Sequence, residues 1–244
     1  MSLRFEELAW RETPMGAISL RRRRDPLSGQ DIHEVKLDDD YLMSSLFTVA
    51  EIEVARLALG QLADDDLRVA VGGLGLGYTA QAVLADPRVA SLLVIEALPE
   101  IVEWHQHGLI PLGVELTADP RCRFVVGDFF ERAAAGSLDV ASPDRTFDAI
   151  VVDIDHSPRH LLHARHAPFY EPDGVRRLIS CLRPGGVFTL WSNDPPDEAY
   201  TEVLRGGFVQ VTAEVVTFAN PLQDRDATNT VYVATGPRPS APSG

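Results

Sequence analysis

The period of the hydrophobic positions changes twice along the chain. Between Ala17 and Leu37 apolar and polar residues alternate in Ile18-Ser-Leu-Arg-Arg and Asp31-Ile-His-Glu-Val-Lys-Leu, on either side of Asp25-Pro-Leu-Ser-Gly29. Alternation around a Pro/Gly turn predicts a β-hairpin with one wet face. From Phe47 to Leu62 the apolar residues Val49, Ile52, Val54, Leu57 and Leu59 fall at helical spacing with acids between them, and Ala63-Asp-Asp-Asp66 closes the predicted helix. From Leu67 onward the pattern becomes short continuous runs rich in β-branched residues: Leu67–Val71, Leu92–Glu96, Cys122–Val126, Asp148–Asp153 and Gly186–Trp191. Runs apolar on both faces, with helical segments between them, are what a parallel sheet covered on both sides requires. The last two runs, Phe208–Phe218 and Thr228–Ala234, have no helix between them, which predicts an antiparallel hairpin at the sheet edge.

Five parallel strands followed by such a hairpin predict an α/β fold: a Rossmann-like, seven-stranded sheet of the class I methyltransferase kind, with a small N-terminal β-hairpin region. The expected organisation is a hairpin region over 1–46, an α/β domain binding an S-adenosyl ligand over 47–235, and a disordered tail over 236–244, which is too polar and proline-rich to pack.

Charge narrows the function classes. The 244 residues carry 36 acids against 22 bases, a formal net charge of −14. The only basic run, Arg21 to Arg24, is followed by Asp25 and by Asp38 to Asp40, so no phosphate-neutralising face is expected and nucleic acid is excluded as a partner. An acidic surface suits small cationic ligands instead. No apolar run approaches the roughly 18 residues that span a bilayer, and the start lacks a basic region followed by an apolar one. The expectation is a cytoplasmic protein with no membrane partner. Cys122 and Cys181 lack Cys-x-x-Cys spacing and read as core residues.

Ligands of doubly wound sheets sit where loops leave the carboxyl ends of the strands. The first such loop is Val71-Gly-Gly-Leu-Gly-Leu-Gly77, whose glycines, Gly72, Gly73, Gly75 and Gly77, let backbone and ligand approach closely. A dinucleotide G-x-G-x-x-G counted from Gly73 would need glycine at Tyr78, which tilts the reading from NAD toward an S-adenosyl ligand. Glu96 ends the second run, where a carboxylate can accept ribose hydroxyls. Asp128 ends the third and can either take an adenine amino group or cap the next helix, and Phe129 beside it offers ring surface. The fourth ends in Asp153-Ile-Asp-His156-Ser-Pro158. Asp153 and Asp155, if they share the cleft, raise one another's pKa and make a base for an ammonium nucleophile, with His156 in support. Ser157-Pro158 reads as the start of a helix carrying His160, His163 and His166, taken as surface residues, and no metal is expected. Asn220 to Asp226 is polar enough for a lid.

At these positions the chain resembles the spermidine synthase family, the polyamine aminopropyltransferases, over about residues 10 to 235. The likeness is carried by Asp86-Pro-Arg-Val-Ala-Ser-Leu-Leu-Val-Ile-Glu96, Asp119-Pro-Arg-Cys-Arg-Phe-Val-Val-Gly-Asp-Phe129, Phe147-Asp-Ala-Ile-Val-Val-Asp153 and Pro168-Phe-Tyr170. The resemblance implies that Glu96 holds a ribose, that Asp128 holds an adenine and that Asp153 is the catalytic acid near the attacking amine. It also implies transfer of an aminopropyl group from decarboxylated S-adenosylmethionine to an amine, in a homodimer or larger assembly.

Three departures fall on substrate-contacting positions. The family's glycine loop carries an aspartate facing the aminopropyl ammonium, where this chain has Gly75. Its Tyr-His-Glu aligns with Glu51-Ile52-Glu53, and its Asp-Ser-Thr/Ser-Asp becomes Asp153-Ile-Asp-His156. The expected function is therefore a spermidine-synthase-like transferase moving an alkyl, aminopropyl group from an S-adenosyl sulfonium donor to a small cationic amine. Two alternatives stand beside it: methyl transfer from intact S-adenosylmethionine to a small molecule, and a non-catalytic homologue that only binds the nucleotide.

Overall fold

The computed structural model describes residues 5–26, 28–220 and 225–238. Its first part is an antiparallel sheet of β1 (Phe5–Thr13), β2 (Gly16–Arg24), β3 (Asp31–Leu37) and β4 (Asp40–Ser44), in that order. The expected hairpin is its central pair, β2 and β3. Charge conceals the flanking strands. β1 is a charged edge strand, and β4 starts inside the Asp38–Asp40 run, where Asp38 turns at positive φ and its Oδ1 accepts the Ala17 amide at 2.8 Å.

The remainder follows in the order α1 (Val49–Leu59), β5 (Leu67–Gly72), α2 (Tyr78–Leu84), β6 (Val89–Glu96), α3 (Pro99–Gln106), α4 (Gly113–Ala118), β7 (Cys122–Val126), α5 (Phe129–Ala134), β8 (Phe147–Val152), a 3-10 helix (Ala164–Tyr170), α6 (Pro172–Ile179), β9 (Leu182–Ser192), α7 (Glu198–Gly207), β10 (Phe208–Asn220) and β11 (Arg225–Pro237). The second sheet runs β10-β11-β9-β8-β5-β6-β7, parallel from β7 to β9 and antiparallel where β11 joins β9 and β10.

The continuous apolar runs are explained by two cores, one on each face of this sheet. Val69 and Val71 of β5, with Ala149 and Val151 of β8, pack in the core that also takes Ile18, Leu20 and Val35 of the N-terminal sheet and Val54, Ala55 and Ala58 of α1. Ala70, Ile150 and Val152 point the other way, into an aromatic core with Phe129, Phe147, Phe188 and Tyr232. Strand alternation sends successive residues to opposite faces, so both must be apolar when helices cover both.

The C-terminal hairpin is longer than expected. Asn220 pairs with Arg225 and Ala219 with Asp226, so these ends of the expected lid are strand, and residues 221–224 lie outside the described residues. β11 likewise continues to Pro237, into the expected tail, whose residues 239–244 also lie outside them. Among the described residues no helix is long and apolar enough to cross a membrane.

Candidate functional site

Strand register gathers the site. Gly72 pairs with Ile95 on one side and Val152 on the other, and Glu96 pairs with Val126. The next residues out of β5, β6, β7 and β8 therefore emerge along one edge. A cavity of about 140 Å³ opens there, roofed by residues of the N-terminal sheet. Gly73, Gly75, Gly77, Glu96, Asp128, Phe129, Asp153 and His156 all line it, and Gly72 lies just beneath, under the Phe129 ring.

Two glycines are required by what surrounds them. Gly73 has φ +92°, and a Cβ there would collide with the carbonyl oxygen of Asp153. Gly75 has φ +50°, and a Cβ there would lie 2.7 Å from Met43 Sδ. The space a side chain at position 75 would enter is filled by a thioether from β4. The loop's amides serve the chain itself: Gly73 N–H donates to Ile95 O and Gly77 N–H to Leu74 O, at 2.9 and 2.8 Å.

The Leu74 amide goes to Glu96. Oε2 of this buried carboxylate accepts Leu74 N–H and Oε1 accepts Leu98 N–H, each at 2.9 Å. Burial pushes its pKa up, and the amides of Leu98, Leu74, Gly75 and Ala97 oppose that rise. Of the two roles open to it in the sequence, Asp128 takes the helix cap, and it also makes an ion pair. Oδ1 caps α5 by accepting Phe130 N–H at 2.8 Å and Glu131 N–H at 3.1 Å, while Oδ2 pairs with Arg165 at 3.1 Å. Phe129 is buried, and its ring meets Phe130 and Phe169 edge-on.

Asp153 accepts a hydrogen bond from Thr79 Oγ1 at 2.8 Å through Oδ2. Its acidic neighbour is Glu51, from the first turn of α1. Burial and then the Asp153 charge push Glu51 up to about 8, and burial pushes Asp153 up to about 6. Near neutral pH the pair thus holds one proton and about one negative charge.

Asp155 is not part of that pair. β8 stops at Val152, the chain bends, and Asp155 turns inward, where its buried carboxylate accepts Leu162 N–H, Tyr170 O–H and His166 Nδ1–H, each at 2.8 Å. The helix expected from Ser157 is also corrected. Ser157 Oγ bonds Asp194 at 2.6 Å and accepts the amides of Arg159 and His160, which makes a turn. His160 pairs with Asp194 at 2.7 Å, and His163 caps the 3-10 helix. His166, read as a surface residue, is buried and stacks on Phe130 at 4.0 Å. Among the described residues no three His, Cys, Asp or Glu side chains converge as metal ligands. Cys122 and Cys181 are free, and burial pushes their thiols to about 12 and about 11.

Sequence reasoning did not select Glu51, Thr79 or Met43. A signal for Glu51 existed: it shares the i, i+3, i+4, i+7 face of Val54, Ala55 and Ala58, an acid on an otherwise apolar helix stripe. Met43 had none, because its position depends on how β4 folds over the glycine loop.

Sheet order and strand-end cavity define a class I methyltransferase-like α/β protein. No known family's sequence profile matches the chain. Among solved structures it is similar to a spermidine synthase in complex with the transition-state analogue AdoDATO, with a TM-score of 0.70 and 15% identity over 94% of this chain and 72% of that one. It is equally similar to the spermidine synthase of Thermotoga maritima, with a TM-score of 0.70 and 16% identity over the same shares. The chain therefore has a divergent spermidine-synthase-like fold.

Proposed function

We propose that the protein is a transferase that moves an aminopropyl group from an S-adenosyl sulfonium donor to an amine. The observation that carries this reading is the placement of a buried, amide-held carboxylate, Glu96, and a partly protonated acid pair, Glu51 and Asp153, in one cavity. Glu96 is suited to the ribose hydroxyls and Asp128, with Arg165, to the adenine edge. The sulfonium supplies a good leaving group, so the chain's own work is orientation, exclusion of water and acceptance of a proton. An acceptor amine arrives as a cation and gives a proton to the Asp153 carboxylate. The freed nitrogen lone pair forms the new N–C bond as the C–S bond breaks, and that electron pair leaves with sulfur as a neutral thioether. The other solved structure's bound analogue is consistent with such a donor.

Methyl transfer from intact S-adenosylmethionine is favoured by one observation. Gly75 with Met43 against it places no carboxylate where the donor's own carboxylate would be repelled. Calorimetric titration with intact and decarboxylated S-adenosylmethionine separates the two. Tenfold tighter binding of the decarboxylated form, about 1.4 kcal/mol, supports aminopropyl transfer. The reverse preference supports methyl transfer, binding without turnover supports the non-catalytic homologue, and no binding of either sinks the reading. Assembly as a homodimer and location in the cytoplasm belong to the same proposal, tested by sedimentation and by cell fractionation.

A further inference from the structure

The acceptor end of the cavity has a chemical character that the transferase reading does not require. The four acids among its lining residues are Glu51, Glu96, Asp128 and Asp153. Two of them are engaged. Glu96 is held by backbone amides, and Asp128 caps α5 and pairs with Arg165. That leaves Glu51 and Asp153 to meet a cation. The N-terminal sheet and its first turn contribute Met15, Leu37, Leu42, Met43 and Ser44 to the wall, with no charged side chain among them. The acids of that sheet beside the wall, Glu34 and Asp38 to Asp40, are absent from the lining; Glu34 pairs with Arg23, and Asp38 is bound to the Ala17 amide. Trp191, near the end of β9, also lines the cavity.

We propose that the acceptor is a monoamine with an apolar body: its single ammonium meets Glu51 and Asp153, and an aliphatic or aromatic remainder lies against the Met15, Leu37, Leu42 and Met43 wall. This deepens the transferase reading and rests on it. A diamine held the same way would drive its second ammonium against methionine and leucine with no carboxylate to receive it, and an unpaired cation in apolar surroundings is disfavoured. An alkyl chain gains there instead, by up to about fourfold in affinity per methylene. The charge of the acid pair agrees: with one of the two acids protonated it balances one ammonium.

The test compares 1-hexylamine with 1,6-diaminohexane, equal in length and differing by one ammonium, by calorimetry at pH 7 with and without methylthioadenosine. Hexylamine is expected to bind at least tenfold more tightly than the diamine, and to tighten by about two- to fourfold per carbon from butylamine to heptylamine. Met43→Glu is expected to reverse the preference, and Met43→Leu to keep it, which separates a charge effect from a disturbed wall. Equal or tighter binding of the diamine, no gain along the alkyl series, or no binding of either amine overturns the inference. Methylthioadenosine titrated alone tests the transferase reading separately: if it does not bind while the amine preference holds, the transferase reading fails and only the cavity's preference for a monoamine stands.

Discussion

Replacing Glu51 by Gln tests the raised pKa of this acid through stability. Glu51 has its ordinary pKa near 4.5 when unfolded and is pushed to about 8 in the fold. A raised carboxyl pKa means that the native state holds the proton more tightly than the unfolded chain. The stability this confers is complete below about pH 4.5 and is lost as pH rises through about 8. At about 1.4 kcal/mol per unit the ionised form would be disfavoured by up to about 5 kcal/mol, and water reaching the cavity screens this to about 2 kcal/mol. Glutamine has the shape of the protonated acid and never ionises. The melting temperatures of wild type and Glu51→Gln should therefore agree near pH 5 and separate as pH rises. By pH 9 the variant should melt about 4–8 °C higher, at about 2–4 °C per kcal/mol for a chain of this size. Scanning calorimetry of both proteins at pH 5, 7 and 9 reads this difference directly, and groups that titrate alike in both cancel. A difference independent of pH, or a variant less stable at pH 9, would refute the raised pKa of Glu51, to which burial contributes most and the Asp153 charge next.

Gly73→Ala should destabilise the chain by about 3 kcal/mol or leave it insoluble, because the added Cβ meets the Asp153 carbonyl at a positive φ; urea unfolding measures it. Asp155→Ala should cost about 3 kcal/mol in the same assay, since it orphans Tyr170 O–H, Leu162 N–H and His166 Nδ1–H in the core, whereas a solvated active-site acid would show little loss. Gly75→Asp alone should weaken donor binding, as its Cβ runs into Met43 Sδ. Gly75→Asp with Met43→Ala should restore binding and raise the preference for decarboxylated over intact S-adenosylmethionine about tenfold, read by calorimetry; a double variant no better than the single one contradicts the steric account.

The spermidine-synthase-like fold was legible because its signal is local and repeated. A strand buried on both faces is apolar at almost every position, and β8, Phe147–Val152, is fully buried with Asp148, paired with Arg183, as its one charge, so five such runs with helices between them leave few sheets to choose from. The same logic located the glycine loop, Glu96, Asp128 and Asp153, since the last polar residue after an apolar run lies at the carboxyl end of its strand. What side chains touch beyond the strand ends was not legible in that way. Asp155 is only two residues from Asp153, but β8 ends between the run and the pair, and a bend that no periodicity encodes turns Asp155 into the core beside His166 and Tyr170. Glu51 reaches Asp153 from α1, about a hundred residues earlier in the chain, and Met43 covers Gly75 from another sheet. Amino-acid order alone determined which strands form and where their ends gather, because burial is written residue by residue. Which acids come close enough to shift one another's pKa, and which apolar wall faces them, was decided by packing between distant segments.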